Sequence, residues 1–186
     1  LGLIDDVSKT AGMAFSNPGS VVVLLGRRTL EGEISDLAGS AFHDQIHGEV
    51  AGMPSIDMNL EMRVQRTCRR LIRECIITSA HDCSDGGLLV ALAESCIVGG
   101  IGIAINNVIP DRWDAALFGE AQSRIIVSLH PQHLPILERN CTLLQVPIVR
   151  LGQVTGDKLT ISGQLSLNLQ EIRHVWESGL ENALVD

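Results

Sequence analysis

The chain has 186 residues, a hydrophobic fraction of 45% and a formal net charge of −8; that is enough apolar sequence for one buried core, and too acidic for a nucleic-acid surface, which needs a basic stripe. Only 3% of residues are aromatic and tyrosine is absent, so stacked nucleobases have no platform. No apolar run approaches the ~20 residues of a membrane-spanning helix. The five cysteines are odd in number and lack C-x-x-C spacing, so they read as buried thiols of a reducing cytoplasm rather than as disulfides or a zinc site. A nucleotide ligand stays open, because a phosphate site depends on local N–H groups and metal rather than on whole-chain charge. The chain begins at Leu1 without an initiator Met or a signal pattern, as a piece of a longer polypeptide does.

An acidic pair, Asp5-Asp6, and a turn signal, Asn17 to Ser20, precede Val21-Val22-Val23-Leu24-Leu25-Gly26, a β-branched run that predicts a strand buried on both faces. After a loop from Arg27 to Glu33, a helix is expected from a cap at Ser35 or Asp36 to Gly48, carrying Leu37, Ala41, Ile46 and both His43 and His47. Ala51 to Pro54 is too short to divide domains. Asp57 can cap the clearest helix, about Met58 to Cys75, whose Leu60, Val64, Cys68, Leu71, Ile72 and Cys75 form one apolar stripe. Its five arginines fall on other faces and read as a solvated surface.

Ser79 to Glu94 predicts a strand end, an acidic Gly86-Gly87 turn and an amphipathic helix closing at Gly99-Gly100. Strands follow at Ile101–Ile105, Ile125–Leu129, Pro147–Leu151 and Lys158–Ile161, with helical segments at Trp113–Leu117, after Pro131, and from Gln170 to about Leu184. The last offers Ile172, Val175, Trp176 and Leu180 for docking. The alternation predicts a single α/β (α+β) domain over residues 1–186, a mixed sheet covered by helices.

Chemistry concentrates in two stretches. At Ser84-Asp85-Gly86-Gly87, unpaired N–H groups and the positive end of a helix dipole would point outward, and two glycines let a backbone approach a phosphate; the plain alternative is a turn capped by Ser84 or Asp85. Gly119-Glu120-Ala121-Gln122-Ser123-Arg124 gathers a carboxylate, an amide, a hydroxyl and a guanidinium before a strand. Glu120 can hold Mg²⁺ bridged to phosphates, or pair with Arg124 at the surface. His43 and His47 have metal-binding spacing but no evident third ligand. His81 reads either as an acid or base or as a hydrogen-bonded structural residue.

The run Ser79-Ala80-His81-Asp82-Cys83-Ser84-Asp85-Gly86-Gly87-Leu88-Leu89-Val90-Ala91-Leu92-Ala93-Glu94 resembles a signature of phosphoribosylformylglycinamidine synthase, synthetase subunit, within the aminoimidazole ribonucleotide synthetase-like superfamily. Gly2 to Val7, Leu37 to Phe42, Ile46-His47-Gly48, Leu117 to Arg124 and Trp176-Glu177 are similar to further elements of it, in the same order. The resemblance implies the last carboxyl-terminal domain of an ATP-dependent amidine-forming ligase of purine biosynthesis in the cytoplasm. Such a domain supplies one wall of the ATP and substrate cleft, with the amino-terminal domains of the same enzyme absent from this chain.

By resemblance, Asp82 and Gly119 contact ATP, Glu120 lies near Mg²⁺, and Gln122 or Ser123 touches formylglycinamide ribonucleotide. No catalytic residue is expected here. The implied partners are the amino-terminal domains, a glutaminase subunit and a small accessory subunit. Asp85 replaces the commoner Glu, Ala121 the commoner Ser, and Ala41-Phe42 a Glu-Tyr pair. Selenophosphate synthetase or thiamine-monophosphate kinase chemistry, and a non-catalytic structural domain, are the alternative readings.

Overall fold

Val21–Leu25 (β1) is a run of five apolar residues with no polar face, and it lies between two neighbours, Ile125–Leu129 (β4) and Ile148–Val154 (β5), both antiparallel to it. The computed structural model describes residues 3–184; Gly2 of the opening stretch lies outside them. Around β1 the sheet adds Ser79–Asp82 (β2), Ile103–Ile105 (β3), Lys158–Ile161 (β6) and Leu165–Asn168 (β7), in the order β2-β4-β1-β5-β3-β6-β7. Among the strands described, β3 and β6 alone pair in parallel, with an isolated parallel bridge from Gly12 to Ser79, so the sheet is mixed, as expected. The strand β7 has no counterpart among the predicted strands.

Period-two alternation along β1 sends side chains to both faces. Val22 and Leu24 join Leu88, Leu92 and Cys96 of helix α3 (Gly87–Gly99) and Ala116 and Leu117 of α4 (Trp113–Phe118). Val23 and Leu25 join Val64, Cys68 and Leu71 of α2 (Met58–Arg73) and Leu137 and Cys141 of α5 (Leu134–Leu143). Helix α2 forms where the stripe predicts it, with the Asp57 carboxylate accepting from the N–H groups of Asn59 and Leu60. Burying Val64 and Leu71 contributes roughly 1.5–3 kcal/mol each, against a few tenths for each like-charge arginine pair on the outer face. Packing therefore decides the helix.

Four local features differ from the sequence expectation. The helix expected from Ser35 or Asp36 is a 3-10 turn, Ile34–Leu37, followed by a separate α1 (Ala41–His47) capped by the Ser40 hydroxyl. Gly39 at φ +68° breaks the two apart. Helix α2 stops at Arg73, and Cys75, at φ +52°, turns outward instead of extending the stripe. Helix α3 is not amphipathic: its buried residues face the sheet, α4 and the final helix α6 (Leu169–Ala183), and the backbone of Phe15 crosses it at Gly99. On α6, Leu169 and Ile172 pack on the core, whereas Val175, Trp176 and Leu180 stand exposed. No helix among the described residues is long and apolar enough to cross a membrane.

Candidate functional site

In the β2–β4 ladder Asp82 pairs with Ile125, and the Cys83 N–H continues it by donating to the Arg124 carbonyl. The register puts the turn after β2 beside the loop before β4, so the two chemistry-bearing stretches meet although some forty residues separate them. They form two walls of a cleft of about 570 Å³. The remaining walls are Glu61, Val64 and Gln65 on α2, and the strap at Ala38, Gly39 and Pro54.

Each side chain has a specific local cause. The Ser84 hydroxyl donates to Asp82 Oδ2, and that hydrogen bond, more than the charge of neighbouring His81, holds the Asp82 carboxyl below its ordinary range against a smaller opposing effect of burial. The His81 ring lies between two carboxylates, with Nε2 2.8 Å from Glu94 Oε2 on α3 and Nδ1 3.7 Å from Asp82 Oδ1. Ser123 occupies the left-handed region at φ +64° and donates its hydroxyl to Glu61 Oε2 at 2.6 Å. Gln122 is exposed along the cleft. Arg124 is buried and donates to the Ala121 carbonyl at 2.9 Å and to the Gly119 carbonyl, so it does not pair with Glu120 at the surface. Burial lowers its pKa.

The Gly86-Gly87 turn adopts φ +79° and +72°, which explains the two glycines through backbone conformation. The space above Gly87 is not open to a ligand: a Cβ there would stand 2.5 Å from the Gly119 carbonyl oxygen. Neither Ser84 nor Asp85 caps α3. The Gly86 N–H donates instead to Glu120 Oε1 at 2.8 Å, and the Gly87 N–H to the Ser84 carbonyl. Gly119 is buried, with its N–H given to Ala115 and its carbonyl to Arg124. A direct ligand contact through the Gly119 backbone therefore finds both groups engaged.

The cleft collects the carboxylates of Glu61, Asp82, Asp85 and Glu120, while its one guanidinium, Arg124, has its Nε and one NH₂ group turned to loop carbonyls. A polyphosphate entering such a site meets net negative charge, and a hard divalent cation fits between the two. Among the described residues no three His, Cys, Asp or Glu side chains converge to hold a metal by themselves, so no third such side chain joins His43 and His47. Their rings lie 5.0 Å apart, and His43 Nδ1 is 2.8 Å from the Glu49 carbonyl oxygen. One or two carboxylates with substrate phosphates completing the shell is the arrangement Mg²⁺ ordinarily takes.

Sequence reasoning passed over Glu61. In the first turn of α2 it reads as an ordinary carboxylate complementing the helix dipole, and nothing in local spacing ties it to Ser123, 62 residues away.

Residues 17–163 match the family described as AIR synthase related protein, C-terminal domain. The chain belongs to this family. Among curated relatives of this C-terminal domain, the phosphoribosylformylglycinamidine synthase subunit PurL of Anaeromyxobacter sp. (strain Fw109-5) is 42% identical over 195 residues, covering 99% of this chain and 25% of that protein. The same subunit from Thermobifida fusca (strain YX) is 43% identical over 97% of this chain and 23% of its own length. The chain thus spans about a quarter of the curated relatives it matches. The AIR synthase-related fold recurs in T. maritima PurL complexed with FGAR, with a TM-score of 0.74 at 18% identity over 90% of this chain and 30% of that one. It recurs in thiamine-monophosphate kinase from Stenotrophomonas maltophilia K279a, with a TM-score of 0.55 at 18% identity over 82% and 53%.

Proposed function

We propose that this chain is the carboxyl-terminal wall of the ATP and substrate cleft of an amidine-forming ligase of purine biosynthesis, phosphoribosylformylglycinamidine synthase. The observation that carries the reading is the length of the match: relatives bearing that name align with 99% of the chain, and the stretches that resemble the ligase line one cleft. Asp82, held ionised by Ser84, contacts the nucleotide. Gln122 and Ser123 face the formylglycinamide ribonucleotide, with Ser123 oriented by Glu61. Gly119 serves through packing, by allowing its loop to approach Gly87.

Mg²⁺ belongs to this reading, because exposed carboxylates at Asp82 and Asp85, beside an Arg124 that donates to loop carbonyls, fit a metal-bound nucleotide. Asp82 and Asp85 would hold the ion, which would neutralise phosphate charge and so ease transfer to the amide oxygen. The chain's own part is to orient: it fixes one side of the nucleotide and of the ribonucleotide amide so that ammonia meets an activated carbon. Ammonia comes from a glutaminase subunit, and the opposite wall from the amino-terminal domains of the same enzyme, with a small accessory subunit in the assembly. The enzyme works in the cytoplasm.

Replacing Asp82 by Ala in the full-length enzyme tests this. ATP-dependent amidine formation is expected to fall on the order of a hundredfold, the loss typical of one fixed electrostatic contact, while the fold survives with a small loss of stability, because Asp82 is exposed and gives up one hydrogen bond from Ser84. Unchanged kinetics would remove Asp82 from the site. The chain by itself is expected to form no amidine.

A further inference from the structure

We infer that Glu120 is a positioning residue that fastens two walls of the cleft together through their backbones, rather than a direct ligand of the metal. A single oxygen, Oε1, accepts from the Ala41 N–H and from the Gly86 N–H, each at 2.8 Å. Ala41 opens α1 and Gly86 is the cap of α3. Helix starts have no intrahelical partner for these N–H groups. The carboxylate therefore serves two helix ends at once, where positive partial charge favours an anion. The Glu120 N–H adds a third tie, donating to the Asp36 carbonyl at 2.7 Å.

One residue thus joins the strap at 36–41 to the turn at 82–86, partners 79 and 34 residues away in sequence. The anion held at the amino end of α3 is the chain's own side chain. A phosphate at the Gly86 N–H would first have to displace it. Glu120 instead fixes the positions from which Asp82 and Asp85 meet their ligand, so the inference refines the proposed nucleotide site and rests on that reading for its functional consequence.

Amide hydrogen exchange at Ala41 and Gly86, measured on this chain as wild type, Glu120→Gln and Glu120→Ala, tests it directly. The carbonyl oxygen of Gln can still accept both hydrogen bonds; Ala cannot. Protection at both amides is expected to survive in Glu120→Gln and to fall on the order of tenfold in Glu120→Ala. In a parallel titration of the full-length enzyme with Mg²⁺ and ATP, Glu120→Gln is expected to bind like wild type and Glu120→Ala more weakly at every Mg²⁺ concentration. Unaltered exchange in Glu120→Ala overturns the inference. So does a Glu120→Gln chain with full protection that needs on the order of tenfold more Mg²⁺, since a lost charge then matters where the hydrogen bonds do not. If the wild-type full-length enzyme binds no ATP, the proposed function fails, while exchange still decides the fastening role.

Discussion

Gly87 and Gly119 pack so closely that a Cβ on Gly87 would stand 2.5 Å from the Gly119 carbonyl oxygen. With φ at +72°, Gly87 is excluded from substitution on two independent grounds. Gly87→Ala is expected to destabilise the fold by about 2–4 kcal/mol, combining left-handed strain with overpacking against backbone. Gly86→Ala shares the left-handed strain but meets first the Val90 side chain rather than backbone, and is expected to cost less. Urea denaturation of the two variants gives the comparison, and equal losses would contradict this account of the turn.

Asp82 links the turn to pH. Its folded pKa lies below the ordinary 3.8, chiefly through the Ser84 hydroxyl. A depressed carboxyl stabilises the fold at pH above its ordinary value and loses that contribution as pH falls through the folded value. Ser84→Ala is expected to move the Asp82 carboxyl upward, toward its ordinary range, and to shrink the stability difference between neutral and acid solution. Carboxyl ¹³C shifts followed through an acid titration report the change. An unmoved Asp82 would assign the depression to another cause.

The thiols separate by burial. Burial pushes Cys83 and Cys96 up to about 12, and Cys68 and Cys141 up to about 11, so they remain protonated and inert at neutral pH. Cys75 is exposed. A thiol reagent at pH 7 is expected to label Cys75 alone in the folded chain and all five cysteines after denaturation. Labelling of Cys83 in the folded chain would show that the β2 end opens.

Cys75 also sits at a position that favours glycine. The N–H groups of Ile76, Ile101 and Val146 return to the carbonyls of Leu71, Cys96 and Cys141, so α2, α3 and α5 end in the same left-handed closure. Gly100 occupies the left-handed position in α3, but Cys75 and Gln145 occupy it in α2 and α5, at φ +52° and +54°. Cys75→Gly and Gln145→Gly are each expected to stabilise the chain by about 1 kcal/mol, from relief of left-handed strain. A drop in melting temperature for both would contradict the assignment.

These closures show what was legible in the sequence. The apolar runs of β1, α2 and β4 give their own positions, because buried stripes and faces repeat at 3.6 or 2 residues. The break at Gly39 was not legible, since Ser35, Asp36 and Ser40 are equally good caps and only the left-handed glycine separates them. Periodicity places Cys75 in the α2 stripe because it carries no sign of φ. At the site, the two motif stretches were both visible, and strand register brings them together. The contacts that organise them, Ser123 to Glu61 and Glu120 to Ala41 and Gly86, span 62, 79 and 34 residues. Long-range pairings of that kind leave no local spacing to read. At the helix start, where the sequence leaves a phosphate seat and a plain turn both open, the Gly86 N–H goes to Glu120.

The central claim is that the cleft between the 82–85 turn and the 120–124 loop receives a metal-bound nucleotide. Titrating this chain with ATP in the presence of Mg²⁺, while following backbone amide shifts by NMR, tests it most directly. Saturable shifts at Asp82–Asp85 and Gln122–Arg124, abolished in Asp82→Ala and absent without Mg²⁺, are the predicted result. Shifts confined to other parts of the surface, or the same shifts in Asp82→Ala, would contradict the claim.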